Sequence, residues 1–346
     1  MTYQKIDNEN MYGAIYDFPD HISDASRIGT ELIVNNIKLP IQNVIIAGMG
    51  GSAIGGDILR VFIKDEIKIP LFVSRYYVLP TWVDENTLVI CSSYSGNTEE
   101  TLSSYDDAIN KGTQLFGVTT GGELCKRMEK DNVEFVLIPT GLQPRAALAY
   151  SLIPMLYLFH KVGFISKQVC NYLNNVITLL SKKRMEYSKE NSNNKTFELA
   201  KQIHKKIPII YGEVESTNII ALRLKGQLCE NAKMIAYHNE LPEMNHNEIV
   251  GWENNSELLN HFAIIWIKDQ SDQERVKLRQ KITSNILQNL EISQFSIEVS
   301  ENQRIVRLFH LIHFGDWLSY WCAILNETDP SPVTNINQLK SELDNL

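Results

Sequence analysis

The sequence predicts an α/β protein with two similar domains, each a parallel sheet flanked by helices. Short runs that are apolar throughout alternate with longer amphipathic stretches, as parallel strands and their connecting helices do. This alternation occurs twice, once before and once after a polar stretch at Ser181–Glu198. A chain of 346 residues is also too long for one ordinary core, so two domains are expected.

In the first half, apolar runs predict the strands of one parallel sheet. The first run, Asn43–Gly48, precedes a helix that we expect to begin near Ala53. The runs show no polar alternation, which is typical of strands with both faces covered. The later runs are IPLFVS, TLVICSS, QLFGVTT and EFVLIPT, and the helical pattern GELCKRMEK separates the last two.

The second half repeats this pattern without the glycines. Ile207–Gly212, His261–Ile267 and FSIEVS predict strands, and helical patterns such as IIALRLKGQLCENAK lie between them. The intervening polar stretch includes ENSNN, which is typical of a hinge or a domain boundary. We therefore expect an N-terminal domain at 1–160, a helical connector and hinge at 161–198, and a C-terminal domain at 199–346.

A long apolar helix is predicted near the C-terminus, at NQRIVRLFHLIHFGDWLSYWCAIL. Its large side chains fit a domain core or a subunit interface, and these two environments are not exclusive. The residues concerned are Phe309, Ile312, Trp317, Leu318 and Trp321.

Composition and charge argue against several classes of function. A net charge of −8 is unfavourable for wrapping nucleic acid or lying on an anionic membrane, although local dipoles can still bind a small anion. The most membrane-like run, Ala146–Phe159, is too short for a span and contains Pro154, so a buried helix is expected. The five cysteines form no C-x-x-C pair and the N-terminus has no apolar signal-peptide core, which together indicate reduced thiols in a cytoplasmic protein.

The stretch GMGGSAIGGD, Gly48–Asp57, has five glycines in ten residues and lies between a predicted strand and a predicted helix. Glycines at such a turn allow a dinucleotide, a phosphate or a neighbouring strand to approach the backbone closely. Gly48, Gly50 and Ala53 satisfy G-x-G-x-x-[GA], but the next strand ends without the acid that would hold a ribose. Arg75 follows that strand and could bind the 2′-phosphate of NADP, so binding of NADP stays an alternative.

A second turn, in CSSYSGNTEET, favours a phosphate monoester. Ser93, Ser95 and Thr98 place three hydroxyls around Gly96, where a helix is expected to begin. Free N–H groups and the dipole at a helix N-terminus attract an anion. One such residue could instead serve only as a helix cap. Three hydroxyls, with Ser52 in the neighbouring glycine turn, exceed what a cap needs.

The motifs GMGGSAIGGD, SYSGNTEET, PRAALAYSL, ENAK and EMNHNEI occur together, in this order. In this the chain resembles the bifunctional phosphoglucose/phosphomannose isomerases, which carry two sugar-isomerase (SIS) domains. The resemblance runs from about residue 40 to the C-terminus, through DPSPVTNINQLKSEL. It implies conversion of glucose 6-phosphate and mannose 6-phosphate to fructose 6-phosphate, with no metal or other cofactor, by a homodimer whose active sites lie at the subunit interface.

The resemblance also implies roles for individual residues. Arg145 falls on the active-site arginine, Glu230 on the catalytic base, His246 on the ring-opening histidine and Lys340 on a C-terminal lysine. The positions expected to bind the sugar phosphate are Gly51, Ser52, Ser93, Ser95 and Thr98, with Arg145.

These residue types suit an aldose–ketose isomerisation, which moves a proton between adjacent carbons through an enediol. Glu230 follows a helical stretch beside Cys229, and partial burial would raise its pKa towards that of a useful base. Arg145 could stabilise the enediolate or the phosphate. His246 can exchange a proton near neutral pH to open the sugar ring, and Lys340 could assist it.

Glu243 and His246 form E-x-x-H and are expected on one face of a helix begun at Pro242. This spacing occurs in di-iron bundles, which also need a second such pair that the sequence lacks, so a metal is not expected. Glu243 or Glu248 could instead orient His246.

Two other functions fit parts of the pattern. The isomerase part of glucosamine-6-phosphate synthase has a similar phosphate loop, but this chain has no amidotransferase domain and no N-terminal nucleophilic cysteine. A non-catalytic sugar-phosphate sensor would keep the serine loop without a base. Such sensors usually carry a DNA-binding helix, which the acidic chain does not suggest.

Overall fold

The computed structural model describes residues 5–254, 256–343 and 345. The chain divides into two compact units, which are described one at a time. The N-unit is Asp17–Leu179, and the C-unit contains the described residues of 1–16 and 180–346. The first helix, α1 (Met11–Tyr16), therefore belongs to the C-unit.

The N-unit is built on a sheet of five parallel strands in the order β2-β1-β3-β4-β5. The strands are β1 (Asn43–Ala47), β2 (Leu71–Ser74), β3 (Thr87–Ser93), β4 (Gln114–Thr119) and β5 (Phe135–Leu137). The helices are α2 (Phe18–Glu31), α3 (Gly50–Ile63), α4 (Glu99–Asn110), α5 (Gly122–Asp131), α6 (Leu148–Lys161) and α7 (Lys167–Asn171), and α8 (Leu173–Tyr187) follows.

The order of these strands creates a switch point between β1 and β3. The chain leaves β1 towards β2 on one side and returns to β3 on the other, so the two loops that follow β1 and β3 diverge. In parallel sheets such a crevice at the carboxyl ends of the strands is where ligands bind. Both turns singled out in the sequence lie here.

The C-unit repeats the design with four parallel strands in the order β7-β6-β8-β9, which confirms the predicted fold class. The strands are β6 (Ile207–Glu213), β7 (Tyr237–Leu241), β8 (Phe262–Lys268) and β9 (Ser293–Glu298). The helices are α9 (Lys195–Ile203), α10 (Asn218–Asn231), α11 (Glu248–Gly251), α12 (Ser256–Leu259), α13 (Glu274–Gln288), α14 (Arg304–Leu325) and α15 (Thr334–Leu343), with a 3₁₀ helix at Glu243–His246.

The long apolar helix α14 forms the core of the C-unit. Trp317 and Trp321 are both 0% exposed. Tyr12 of α1 packs edge-on against Trp317, with ring centroids 5.1 Å apart, and against Tyr320 at 5.7 Å. These aromatic contacts explain why α1 joins the C-unit, whereas the sequence predicts an N-terminal domain at 1–160 that includes it.

The polar stretch expected to form a hinge is ordered by its own side chains. α8 continues through its first residues, and the boundary between the units lies within α8, at Leu179. Asn194 is 1% exposed; it donates to the Tyr187 carbonyl at 2.6 Å and accepts from the Thr196 N–H at 3.0 Å as the cap of α9. A polar residue thus enters the interior because all its hydrogen bonds are made there.

The membrane-like run is a buried helix, as expected. α6 buries most of its residues and accommodates Pro154 within it. Among the residues that the structure describes, no helix is long and apolar enough to cross a bilayer. All five cysteines are unpaired.

Buried carboxyl groups occupy the switch point of the C-unit sheet, between β6 and β8. Glu213 ends β6 and is 8% exposed, and Asp272 follows β8 and is 6% exposed. Burial and a hydrogen bond to Glu213 raise the pKa of Asp272 to about 7. Ser216 Oγ donates to Asp272 at 3.1 Å, and the Gln273 N–H donates to Glu213 at 2.9 Å.

The Asp272 carboxyl should make the protein less stable as pH rises. Because its folded pKa lies above the unfolded value of about 3.9, the folded state binds more protons between about pH 4 and pH 7, and stability falls across that window. The Asp272→Asn variant removes this titration. We expect its melting temperature, relative to the parent, to rise from about pH 5 to about pH 8.

The matched control is Glu257→Gln, which neutralises an exposed carboxylate in the same unit. Its melting temperature should track that of the parent. Melting temperatures are measured by scanning calorimetry. If those of Asp272→Asn and the parent change in parallel with pH, the expected titration of Asp272 is contradicted.

Candidate active site

The first glycine-rich turn joins β1 to α3 at the carboxyl edge of the N-unit sheet. A Cβ atom at Gly48 would lie 2.7 Å from the carbonyl oxygen of Ser92, and one at Gly51 would lie 2.6 Å from that of Pro144. Both contacts are with backbone, which cannot move aside as a flexible side chain can. The sequence left three groups that could approach these glycines: a dinucleotide, a phosphate or a neighbouring strand. In the structure, the group that approaches Gly48 and Gly51 is neighbouring main chain of the protein itself. α3 begins at Gly50, earlier than the start near Ala53 that the sequence predicts.

The second turn follows β3 and is organised by its own hydroxyls. Ser93 Oγ lies 2.8 Å from Thr98 Oγ1 and accepts a hydrogen bond from the Gly96 N–H at 3.1 Å. Ser95 Oγ accepts one from the Asn97 N–H at 3.2 Å. The hydroxyls predicted from the sequence are therefore brought together within one short turn.

Further contacts tie the two turns to each other and to the loop after β4. The Tyr94 N–H donates to Ser52 Oγ at 3.3 Å, and Thr120 Oγ1 donates to the Tyr94 carbonyl at 2.7 Å. Gly96 has a φ of +69°, and a Cβ there would lie only 1.8 Å from the carbonyl oxygen of Gly121. This position therefore requires glycine for both conformation and space.

α3 and α4 both begin at this edge without a side-chain cap. Met49 and Thr98 are the N-cap residues, and neither side chain accepts a hydrogen bond from its helix. In α3 the Ser52 N–H donates to the Met49 carbonyl at 3.0 Å, so the N–H groups able to bind an external acceptor are those before it and those of the first turn of α4. Both dipoles favour an anion at this edge, and the four hydroxyls add donors suited to a phosphate.

Arg145 lies in the turn before α6 and is 4% exposed. This turn packs on the start of α3, because a Cβ at Gly51 would lie 3.4 Å from the Arg145 nitrogen. A hydrogen bond of 2.8 Å from the Ala146 N–H to the Gln143 carbonyl closes the turn. Arg145 is thus buried beside the first turn rather than solvated, which distinguishes it from an ordinary loop arginine.

Arg75 is already paired, which weakens the dinucleotide interpretation. Its guanidinium forms an ion pair with Asp57 of α3, the last residue of the glycine-rich stretch. The arginine that the sequence left open for a 2′-phosphate is therefore engaged in holding β2 and α3 together.

Glu230 is the penultimate residue of α10 in the C-unit and is partly buried, as expected. Buried polar contacts hold α10 against α14. Nη2 of Arg223 donates to the Asp316 carboxylate at 2.8 Å and 2.9 Å, and Asn231 Nδ2 donates to Ser319 Oγ at 2.9 Å. The last contact involves the residue next to Glu230, so it limits rotation of the helix end.

His246 ends the 3₁₀ helix that follows β7 and is exposed. Residues three apart eclipse in such a helix, so Glu243 and His246 share a face as expected. Glu243 accepts a hydrogen bond from Asn247 Nδ2 at 2.7 Å, and Glu248 accepts one from Asn239 Nδ2 at 2.5 Å. Among the described hydrogen bonds, neither carboxylate reaches His246, so the idea that one of them orients it is not supported.

Lys340 lies on α15, a helix that buries none of its residues. Within the described part of the chain, no hydrogen bond or ion pair involves its ammonium group. In residues 5–254, 256–343 and 345, no group of three or more His, Cys, Asp or Glu side chains is arranged to hold a metal ion.

Tyr94 was missed by the sequence analysis. Besides its backbone contacts, its hydroxyl accepts a hydrogen bond from the Leu142 N–H at 3.1 Å, which links the hydroxyl-rich turn to the loop that leads to Arg145. The signal was present, since Tyr94 lies within SYSGNTEET, but that motif was interpreted only for its serine and threonine hydroxyls.

Residues 192–343 match the family model for the bacterial phospho-glucose isomerase C-terminal SIS domain. The structure also resembles the C-terminal domain of glucosamine-fructose-6-phosphate aminotransferase from Francisella tularensis. The two have a TM-score of 0.69 and 17% identity, over 93% of this chain and 97% of that one. At this identity, the likeness supports the fold alone.

Curated relatives match along almost the whole chain. The bifunctional phosphoglucose/phosphomannose isomerase of Caldicellulosiruptor bescii is 45% identical over 96% of this chain and 98% of the relative. The protein of the same name from Aquifex aeolicus is 38% identical over 88% of this chain and 91% of the relative. On this evidence, the chain belongs to the bifunctional phosphoglucose/phosphomannose isomerase family.

Proposed function

We propose that the protein interconverts glucose 6-phosphate, mannose 6-phosphate and fructose 6-phosphate through an enediol intermediate. The observation that carries this proposal is the pair of uncapped helix N-termini, surrounded by hydroxyls, at the switch point of the N-unit. The names of the close relatives, which act on phosphoglucose and phosphomannose, support the same substrates.

The proposed mechanism assigns each residue one task. The amides and hydroxyls of the two turns bind the phosphate and hold the sugar by its non-reacting end. His246, assisted by Lys340, moves the proton that opens the ring. Glu230 takes the proton from C2 of the aldose and returns it to C1, while a proton passes from O2 to O1. Arg145 stabilises the negative charge that develops on the enediolate oxygen.

This chemistry needs no external oxidant or reductant, because C1 is reduced as C2 is oxidised within one molecule. We therefore propose that the enzyme works without a redox cofactor. A cytoplasmic location fits the unpaired cysteines.

We also propose that the enzyme is a homodimer with shared active sites. His246 is exposed on its own unit and has no hydrogen-bond partner among the described residues. α15 exposes an apolar stripe of Ile336, Leu339 and Leu343, which are 42%, 59% and 47% exposed. A second copy that covers such a surface would bury apolar area, which favours association.

The variant Glu230→Gln should lower kcat for fructose 6-phosphate formation by more than tenfold, because an amide cannot accept the proton from C2. The measurement is a coupled assay from each aldose, with and without a chelator, and chelation should have no effect. Turnover within tenfold of the parent would show that Glu230 is not the base. Binding of fructose 6-phosphate by the parent without solvent-proton exchange would indicate a sensor instead.

The variant Ser95→Ala removes one proposed donor to the phosphate and should raise KM about tenfold, since a hydrogen bond to a charged group is worth about 1.5 kcal/mol or more. Inorganic phosphate should inhibit correspondingly less well. The control is Ser26→Ala, because the Ser26 hydroxyl donates to the Ile22 carbonyl of its own helix, at 2.7 Å. Equal KM values for the two variants would remove Ser95 from the site.

Shared sites can be tested by co-expressing Glu230→Gln and His246→Ala chains. If each site takes Glu230 from one copy and His246 from the other, mixed dimers contain one intact site and regain activity that neither variant has alone. Light scattering should give the mass of a dimer. If the activity of the co-expressed chains does not exceed that of either variant alone, Glu230 and His246 of each site come from the same copy.

A further inference from the structure

Lys233 follows α10 in a backbone conformation that glycine usually adopts. α10 ends at Asn231, Ala232 is the C-cap, and Lys233 has a φ of +52°. A left-handed residue is common just beyond a helix, but a Cβ atom is strained there and glycine is preferred. A lysine at this position suggests that its side chain supplies something that glycine cannot.

The ammonium group of Lys233 is surrounded by main-chain carbonyl oxygens. Nζ lies 2.8 Å from the carbonyl oxygens of both Glu230 and Asp329. The carbonyl oxygens of Pro330 and Asn231 lie at 3.1 Å and 3.4 Å. Four acceptors thus share the three N–H donors of one ammonium group. A cation here also offsets the partial negative charge at the end of α10.

These acceptors come from two segments that carry proposed catalytic residues. One is the last turn of α10, with Glu230. The other includes Asp329 and leads into α15, which carries Lys340. A further hydrogen bond, from Asn326 Nδ2 to the Ala232 carbonyl at 3.1 Å, joins the same two segments. Lys233 is therefore the charged centre of the contact between them.

The hydrogen bonds between α10 and α14 involve side chains of α10 rather than the main-chain carbonyl of Glu230. Arg223 and Gln227 donate to the Asp316 carboxylate of α14, the latter at 2.7 Å. They fix the buried face of the helix, and Asn231 adds one such side-chain contact at its last residue. The main-chain carbonyl of Glu230, by contrast, is bound by Lys233.

We propose that Lys233 is a positioning residue for the isomerisation: its ammonium group joins the end of α10 to the segment before α15 and so fixes Glu230 and Lys340 relative to each other. This inference rests on the proposed function, because it assumes that Glu230 moves the proton. A misplaced base loses rate steeply, since a shift of about 1 Å can cost about a hundredfold.

The test uses two variants of the full-length enzyme. Lys233→Met keeps the aliphatic stem and removes the ammonium group. Lys233→Gly removes the ammonium group but also relieves the strained backbone, so the fold should be retained even if the Met variant folds poorly. Both should lower kcat about 10- to 100-fold, while KM and inhibition by inorganic phosphate stay within about threefold, because substrate anchoring is separate.

Lys205 provides a matched control. It also follows a helix with a positive φ, of 60°, and is exposed. It lies after α9 rather than at the end of α10. Lys205→Met and Lys205→Gly should leave kcat and KM unchanged.

The outcomes separate this inference from the proposed function. A parent enzyme that isomerises none of the three sugar phosphates would overturn the proposed function. An active parent whose Lys233→Gly variant keeps its kcat, whatever happens to its melting temperature, would show that Lys233 acts only as a structural cap. A rise in KM that matches the loss in kcat would overturn the positioning role in favour of substrate binding.

Discussion

Parallel pairing of β1 with β3 is the constraint on which the candidate site depends. Ala47 pairs with Cys91 near the ends of these strands, so the turns that follow emerge side by side. Each turn leads directly into a helix, and both helices present their N-termini at the same edge. A phosphate bound at the proposed site would meet two helix dipoles and several hydroxyls that are already held by hydrogen bonds, so its binding would require little reorganisation.

The C-unit has the same kind of switch point with the opposite electrostatics. Glu213 and Asp272 lie at the carboxyl ends of β6 and β8, and Asp269 nearby is paired with Arg307 at 2.6 Å. Carboxyl groups in this place repel a phosphate and bond to neighbouring protein groups instead. The two units therefore share a sheet topology but differ in the side chains at this edge, and those side chains, rather than the fold, determine what the edge can bind.

Strand positions, the buried helix α6 and the hydroxyl-rich turn could be predicted from sequence because each is encoded locally, by hydrophobic pattern or by residue type. The reason for the glycines in the first turn could not be predicted in the same way. Its pattern indicated a close approach, but only the structure identifies the Ser92 and Pro144 backbones as what approaches Gly48 and Gly51. The placement of α1 depends on contacts between Tyr12 and Trp317, more than 300 residues apart, which no local pattern reveals.

The two ends of helices serve different purposes in this chain. The proposed phosphate site lies at helix N-termini, whereas the proposed base lies at a C-terminus, where main-chain carbonyls carry partial negative charge. A carboxylate there is repelled by these carbonyls unless a cation compensates for the negative charge. Lys233 places a cation on those carbonyls, since its ammonium group donates to the main-chain oxygens of Glu230 and Asn231. The ammonium group therefore compensates the helix end at the very turn that carries the proposed base, through contacts with the main chain.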